Sequence, residues 1–353
     1  METSFPASYQ AVPIDSNTCP YRECSKIGSI RKSILNNKMN RENQVVGEVE
    51  HDTIQNLSRL ERPIFIRLGI LLGRVMPRKM GLNIAAFVGK RLAQNKDNPQ
   101  VRAVRANQWV IHDQSINRKT LKDLTEKVFQ SSAKCIFDFF YFLNKPESLR
   151  KTVDFPPETA LVFERIWNGQ PCVLVCPHLS NFDLMGYALK LHNINVQVLS
   201  FPNPDETYVM QNQIRESLGI DITPMSLSAF RQARSNLRAG KSILTGLDRP
   251  LTGKLREKYK PTFFGYQTSL PVTYVRMAKD HGVPVFVVAA ATQPGSRYLL
   301  RVSQPIWMEA QDDLETEILS NANRVLIHAE PLLKEYADQW AMFYPVWPQF
   351  LGI

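Results

Sequence analysis

The sequence has little cysteine: five residues in 353, an odd number, with no C-x-x-C pair. A disulfide-stabilised secreted fold is therefore excluded, and we expect all five to be reduced thiols in a cytosolic setting. Cys19 and Cys24 come nearest to a metal-binding pair. No matching His or Cys partner follows them, so the pattern predicts neither a metal site nor a cofactor held by thiols.

The sequence also lacks an uncharged apolar run long enough to cross a bilayer. The apolar stretch 63–77 contains Arg67 and Arg74, and its uncharged part is only Leu68 to Gly73. The beginning of the chain has no apolar segment after a basic one, so we expect no secretory signal peptide. Residues 1–58 are polar and charge-balanced, which predicts a disordered or loosely packed arm.

The positive charge of the chain is concentrated in one segment. Residues 61–150 contain 17 lysines and arginines against 7 aspartates and glutamates, whereas the whole chain has 43 against 33. The segment is also rich in aliphatic and aromatic residues, and a basic, apolar segment favours an anionic membrane surface over nucleic acid. No nucleic-acid-binding motif is visible. We expect 59–150 to be a helical, membrane-associated segment and 151–353 an α/β core, the two forming one domain.

Two stretches of this segment could be either interfacial or ordinary core helices. In the first case the helices at 63–77 and 81–93 lie in the membrane interface, with their apolar faces inward and their arginines near phosphate head groups. In the second case they pack in the core and their arginines are solvated. The aromatic run 136–143 is typical of core, although such a helix could also line a tunnel for an acyl chain.

The most informative stretch is 171–190, PCVLVCPHLSNFDLMGYALK. A short valine-rich run predicts a buried strand, Pro177 ends it, and Asn181 and Asp183 suit the start of a helix. His178 and Asp183 then lie on one strand-to-helix turn, where open α/β sheets bind ligands. Asp183 could hold one imidazole nitrogen as N–H and leave the other as a base, or both residues could merely cap the turn.

The rest of the chain alternates strands and helices. Strands are predicted at 194–201, 220–226, 241–248 and 283–291, with helices between them and a long helix near the C-terminus. This alternation indicates a mostly parallel central sheet flanked by helices, with an antiparallel edge strand at 297–306. Asp248 and Arg249 follow the strand 241–248, so we expect them at the same edge of the sheet as His178.

Four motifs in this order carry a resemblance: HLSNFD (178–183), GLDRP (246–250), PTFFG (261–265) and DQWAMFYPVW (338–347). Over roughly 62–348 the chain resembles the bacterial lipid A biosynthesis late (lauroyl/myristoyl) acyltransferases, within the lysophospholipid acyltransferase-like group. The resemblance implies an α/β glycerolipid acyltransferase-like fold and an enzyme at the cytoplasmic face of the plasma (inner) membrane, bound peripherally or monotopically. The family commonly has glycine where this chain has Ser180.

The resemblance also implies a reaction. An acyl chain would pass from acyl carrier protein or coenzyme A to a hydroxyl of a membrane glycolipid or lipid A-like acceptor. His178 and Asp183 would be the catalytic pair, and Asn181, Asp248 and the element Phe263, Phe264, Gly265 would help to form the substrate site.

Two arginines are further candidates for the substrate site. Arg215 and Arg249 could stabilise the oxyanion that forms at the thioester, bind a phosphate of the donor or acceptor, or be surface charges.

Two other functions are compatible with the first motif. A glycerophosphate or lysophospholipid acyltransferase shares the His-x-x-x-x-Asp pattern but has Phe-Pro-Glu-Gly further along the chain, where this chain has GLDRP. A non-catalytic membrane-binding homologue would not require His178 and Asp183 together.

Overall fold

The computed structural model describes residues 63–202, 206–251 and 259–352. The polar arm expected at 1–58 lies outside these residues. The helices are α1 (Pro63–Val75), α2 (Arg78–Ala93), α3 (Pro99–Ile111), α4 (Arg118–Phe142), α5 (Pro146–Arg150), α6 (Ala160–Trp167), α7 (Phe182–Leu191), α8 (Glu206–Ser217), α9 (Leu227–Arg238), α10 (Thr273–Asp280) and α11 (Leu314–Glu335).

A seven-stranded sheet forms the centre of the fold, as the alternation of strands and helices predicted. Its strands are β1 (Val153–Asp154), β2 (Val173–Cys176), β3 (Val196–Ser200), β4 (Asp221–Pro224), β5 (Ser242–Gly246), β8 (Val285–Gln293) and β9 (Arg297–Val302). They lie in the order β1-β9-β8-β2-β5-β3-β4. The expected parallel arrangement is confirmed for β8, β2, β5, β3 and β4.

Strand β9 runs antiparallel to β8, as expected for 297–306, but it is not the edge of the sheet. The two-residue strand β1 pairs with it on the outer side. A strand of two residues is too short to show an alternation of apolar and polar residues, so it could not be predicted from the sequence.

Helices cover both faces of the sheet. One face packs against α9, α10 and α11 in a cluster that includes Val175, Ala233, Tyr274 and Val325. The other face packs against α4 and α7 in a cluster that includes Leu174, Leu184 and Phe142. Strand β2 is central and completely enclosed, with Val173 and Val175 inaccessible to solvent. Burial of both faces accounts for its continuous apolar run.

The helices α1 and α2 pack against α4 through glycines. A Cβ at Gly73 would lie 2.7 Å from the carbonyl carbon of Phe140, and one at Gly89 would collide with the backbone of Phe129. The missing side chains let the helices approach closely. The opposite faces of α1 and α2 are exposed. In the part of the chain that the structure describes, no helix is both long and apolar enough to span a membrane.

Candidate active site

The turn between β2 and α7 carries the HLSNFD motif at the carboxyl end of the central strand. The backbone of Ser180 has φ = 51°, in the left-handed region that favours glycine. Its hydroxyl lies 2.6 Å from that of Thr292, and its N–H donates to the carbonyl oxygen of Gln339. These contacts hold the turn in a conformation that a serine does not prefer.

His178 is bound by Asp248. The Nδ1 atom of the imidazole lies 2.6 Å from Oδ1 of Asp248, and the backbone N–H of His178 donates to Oδ2 at 2.9 Å. Strand register explains the pairing, because Cys176 and Gly246 are partners in the sheet and both side chains lie two residues beyond them. A carboxylate on Nδ1 requires a proton there, which leaves Nε2 with its lone pair.

The environment of His178 suits a base that must reach a substrate. Its side chain is 29% exposed, whereas Asp248 is completely buried. The imidazole packs edge-on against Phe182, with ring centres 5.2 Å apart. No hydrogen bond among the described residues uses Nε2. The arrangement therefore presents Nε2 of an oriented imidazole towards accessible space.

Trp340 completes the surroundings of Asp248. Its Nε1–H donates to Oδ2 of Asp248 at 2.7 Å, so the buried carboxylate accepts three hydrogen bonds. The indole ring packs against Phe263 and Trp347, at 6.5 and 6.2 Å between ring centres. All three rings are buried. This aromatic cluster fixes the carboxylate that orients His178.

The Phe263, Phe264, Gly265 element is a tight hairpin. Strands β6 (Thr262–Phe263) and β7 (Tyr266–Gln267) are joined by Phe264 and Gly265, whose φ angles are 49° and 78°. Two successive positive φ angles are typical of a type I′ turn. Phe263 is buried in the aromatic cluster, so its side chain supports the site from behind. The part of this element in shaping the substrate site stays a prediction.

Asp183, the last residue of the HLSNFD motif, is bound by Arg215 and not by His178. Nε and one terminal nitrogen of Arg215 donate to the two oxygens of Asp183 at 2.8 and 2.9 Å. Burial acts to lower the pKa of Arg215, but the negative charge and hydrogen bonds of Asp183 outweigh it and raise that pKa. The pair joins α8 to the first turn of α7. The expected hydrogen bond between Asp183 and the imidazole is thus replaced by that of Asp248.

Asn181 has a structural position in the turn. Its side-chain oxygen accepts the backbone N–H of Leu184, which caps α7, and its Nδ2 donates to the carbonyl oxygen of Cys135 at 2.8 Å. The residue is buried. Its contacts within the chain give it a role in holding the turn, and the expected contact with substrate stays a prediction.

Arg249 lies at the carboxyl edge of the sheet beside Asp248, as predicted. Its guanidinium lies 3.8 Å from the ring centre of Phe201 and 4.3 Å from that of Tyr344, and it donates to the Tyr344 hydroxyl at 3.0 Å. Two aromatic faces hold the cation by cation–π attraction and restrict its side chain. A positive charge is therefore held between these two rings, on the residue that follows Asp248.

The cysteine nearest to the site is not a nucleophile. Burial, together with the charges of Asp248 and Asp183, raises the pKa of the Cys176 thiol. Burial also raises the pKa of Cys135 to about 12 and that of Cys172 to about 11. All three remain neutral thiols near pH 7. Within the described ranges, no group of three or more metal-ligating side chains could hold a metal ion.

The aromatic run of α4 packs in the core. Phe139, Phe140 and Phe142 are buried in the cluster that covers β2. Of the two roles considered for this run, core packing or the lining of an acyl tunnel, the structure therefore shows core packing. A cavity of about 310 Å³ does lie beside α4, between that helix and the β8–β9 connection. It is lined mainly by polar side chains, including Lys134, Thr292 and Gln339, and is not an acyl tunnel.

Sequence reasoning found the edge of the sheet and its residues but not their partners. The pairing of His178 with Asp248 could have been read from the sequence by counting from the parallel strands β2 and β5. The pairing of Asp183 with Arg215 had no such signal, because it depends on the packing of α8 against α7.

The chain matches a family of known proteins over most of its length. Residues 58–349 fit the family described as bacterial lipid A biosynthesis acyltransferase. Comparison with curated proteins one by one finds no match. The family match spans the expected resemblance and all four motifs. The chain therefore belongs to the bacterial lipid A biosynthesis acyltransferase family, and it is an acyltransferase.

Proposed function

We propose that this acyltransferase moves a fatty acyl chain from an acyl thioester to a hydroxyl of a membrane glycolipid of the lipid A type. The thioester is carried by acyl carrier protein or coenzyme A. The observation that carries the proposal is the 2.6 Å contact between His178 Nδ1 and the buried Asp248. It orients an imidazole base whose Nε2 can reach a hydroxyl brought by the substrate.

The reaction needs no nucleophile from the protein. Nε2 of His178 takes the proton of the acceptor hydroxyl while its oxygen attacks the thioester carbonyl. A C–O bond forms, and the carbonyl oxygen becomes an oxyanion. When the intermediate collapses, the C–S bond breaks and the leaving sulfur takes the proton from Nε2. The products are an ester and a free thiol, and His178 returns to its starting state.

Asp248 stabilises the imidazolium in this sequence. His178 carries a positive charge after it takes the hydroxyl proton, and the buried carboxylate lies against it. The three hydrogen bonds that Asp248 accepts hold it in place. This is the orienting and charge-stabilising role that a carboxylate has beside a histidine base in acyl transfer.

Arg249 is the candidate for stabilising the negative charge on the substrates. It is fixed between Phe201 and Tyr344, so little side-chain freedom would be lost when it binds an anion. A preorganised cation at the same edge of the sheet as the base can bind either the oxyanion or a phosphate of a substrate. Arg215, the other candidate from the sequence, is buried and donates to Asp183, so Arg249 is the better placed of the two for this role.

The exposed faces of α1 and α2 support attachment to a membrane. They present large apolar side chains to solvent, among them Val75 at 71% exposure and Phe87 at 60%. Exposed basic residues, including Arg67, Arg74 and Lys79, lie on the same two helices. An apolar surface bordered by basic residues fits the interface of an anionic bilayer. We therefore propose that the enzyme binds peripherally to the cytoplasmic face of the inner membrane.

The proposal is tested by substituting His178→Ala and measuring transfer of a labelled acyl chain to extracted membrane glycolipids. Wild-type protein is expected to give an ester-linked product with acyl carrier protein or coenzyme A as carrier, assayed separately. His178→Ala is expected to lose activity about 10³-fold or more while its melting temperature stays close to wild type. Unchanged transfer by the variant would overturn the assignment of the base. Absence of transfer by wild type to any glycolipid would overturn the function.

A further inference from the structure

We propose that Arg78 is a positioning residue for the active site, acting through Asp138 and Tyr298 on Asn181 and thereby on the turn that carries His178. The inference rests on the proposed function, because it assigns a role in the reaction for which His178 is the base. It concerns a residue that lies on the basic, apolar segment and looks from the sequence like one more arginine of the membrane surface.

The side chain of Arg78 is turned away from that surface. It is the first residue of α2, between the exposed side chains of Val75 and Met80, yet its side chain is only 22% exposed. Nε and one terminal nitrogen donate to the two oxygens of Asp138 at 2.8 and 2.7 Å. The same terminal nitrogen donates to the carbonyl oxygen of Ser296 at 2.6 Å. Arg78 therefore joins α2 to α4 and to the β8–β9 connection.

Asp138 links Arg78 to the active-site turn through further hydrogen bonds. It is completely buried, and its Oδ2 also accepts the hydroxyl of Tyr298 at 2.6 Å. The Tyr298 oxygen accepts Nδ2 of Asn181 at 3.4 Å. Asn181 Nδ2 also donates to the carbonyl oxygen of Cys135, one turn before Asp138 on α4. Two routes thus lead from Asp138 to the residue that caps α7.

The protonation states required by this network are maintained. Burial, with the charges of Cys135 and Asp138, raises the pKa of Tyr298 well above its usual value, so its hydroxyl keeps the proton that it donates. Burial acts to lower the pKa of Arg78, but Asp138 outweighs burial and raises it. A charged guanidinium, an acceptor carboxylate and a neutral phenol fit together without an unsatisfied donor.

The turn needs such support because it is strained. Ser180, with its left-handed φ, stands between His178 and Asn181, and a non-glycine residue keeps that conformation only when its neighbours hold it. On one side Ser180 is held by Thr292. On the other side Asn181 is held by α4 and Tyr298. A turn released on the second side would let the imidazole leave the position set by Asp248, and small misplacements of a base are costly.

The experiment compares Arg78→Met with Lys119→Met. Both remove one positive charge, but Lys119 is exposed on the first turn of α4 and has no hydrogen bond or ion pair in the described structure. For Arg78→Met we expect kcat to fall about ten- to a hundredfold with little change in the KM of the thioester donor. Lys119→Met should have wild-type kcat. Arg78→Lys, which keeps the charge and one donor, should recover part of the loss.

A second variant and a stability control distinguish a loss of positioning from a general loss of stability. Tyr298→Phe keeps the buried ring but removes the hydroxyl, and we expect the same loss of kcat in a protein that remains folded. Glu317→Gln breaks the buried ion pair with Lys279 on the opposite face of the sheet, so it lowers the melting temperature without touching the turn. Equal kcat in Tyr298→Phe and wild type, or an equal loss in Glu317→Gln at the same change in melting temperature, would overturn the proposal.

A readout without turnover separates this inference from the proposed function. The Nδ1 proton of His178, in its short hydrogen bond to Asp248, should give a far-downfield proton NMR signal that is absent in His178→Ala. We expect Tyr298→Phe and Arg78→Met to shift or broaden this signal, and Lys119→Met to leave it unchanged. If wild type transfers no acyl chain but the signal responds in this way, the proposed function fails and the positioning network stands. An unmoved signal in both variants would contradict the network.

Discussion

Asp183 is bound at both of its oxygens by the buried guanidinium of Arg215. Because of this contact, Asp183 and Asp248 have different roles near the histidine. Asp248 orients the base, whereas Asp183 joins the first turn of α7 to α8. The spacing of five residues between His178 and Asp183 is then a requirement of the turn and its helix, and not of a hydrogen bond between them.

Asp248→Asn should abolish activity much more strongly than Asp183→Asn. Asp248 accepts hydrogen bonds at both oxygens, and an amide would place an NH₂ group against His178 or against the donors from Trp340 and the backbone. The imidazole would take the wrong tautomer or move, so we expect kcat to fall about 10³- to 10⁴-fold. Steady-state acyl transfer at saturating donor measures this loss.

Asp183→Asn should act mainly on stability. An asparagine keeps one acceptor for Arg215 but leaves one donor of the buried guanidinium unsatisfied, at a cost of about 1–3 kcal/mol in the free energy of unfolding. We expect kcat to fall less than about tenfold. Urea unfolding and kcat measured on the same preparation check both values. A greater loss of kcat in Asp183→Asn than in Asp248→Asn would reverse the roles assigned to the two carboxylates.

Ser180→Gly should keep the activity. Glycine removes the left-handed strain, a gain of about 1 kcal/mol, and loses the hydrogen bond to Thr292, a loss of about the same size. Ser180→Val cannot adopt the angle easily and should be destabilised by about 1–3 kcal/mol. Thermal unfolding and transfer assays of both variants check this. A folded but inactive Ser180→Gly would show that the hydroxyl itself is needed.

Trp340→Phe and Trp347→Phe form a matched pair within one aromatic cluster. Trp340 donates to Asp248, whereas Nε1 of Trp347 is buried without a hydrogen-bond partner among the described residues. Trp340→Phe should therefore lower kcat about tenfold or more, because a buried carboxylate loses one of its donors. Trp347→Phe loses only packing and should lower the melting temperature with little effect on kcat. Similar kcat values in the two variants would argue that Trp340 acts only through packing.

Membrane attachment should depend on apolar and basic residues of α1 and α2 together. Replacing Arg67, Arg74 and Lys79 by glutamine should weaken binding to vesicles rich in anionic lipid about a hundredfold at low salt, since each basic side chain contributes about 1 kcal/mol. Arg78 is left unchanged because its charge is committed to Asp138. Co-sedimentation at several salt concentrations measures the effect, which should shrink as salt rises.

Phe87→Ser should weaken vesicle binding even at high salt. Its ring is 60% exposed, and so is the side chain of Ile327 on α11, which is away from the proposed surface. Ile327→Ser therefore serves as the control for the loss of one exposed apolar side chain. Equal binding of Phe87→Ser and Ile327→Ser would place the contact with the membrane elsewhere on the chain.

The packing of α1 and α2 shows where sequence patterns reach their limit. The segment 63–93 was compatible with an interfacial pair or with core helices, because both have apolar faces. Its glycines turn one face towards α4 and leave large apolar side chains outside. In the sequence Arg78 is one more basic residue of the segment 61–150, and only the fold distinguishes its inward side chain from those of Arg67 and Arg74.

The sequence by itself determined the α/β class, the central position of β2 and the sheet edge that carries His178, Asp248 and Arg249. Periodicity, proline and glycine positions and strand order are local or nearest-neighbour properties, and they are written directly in the residues. The tertiary structure alone decided three partners: Arg215 for Asp183, Trp340 for Asp248 and Asp138 for Arg78. Each of these contacts joins segments at least 32 residues apart, and the packing of those segments fixes their distances. No local pattern records such a distance.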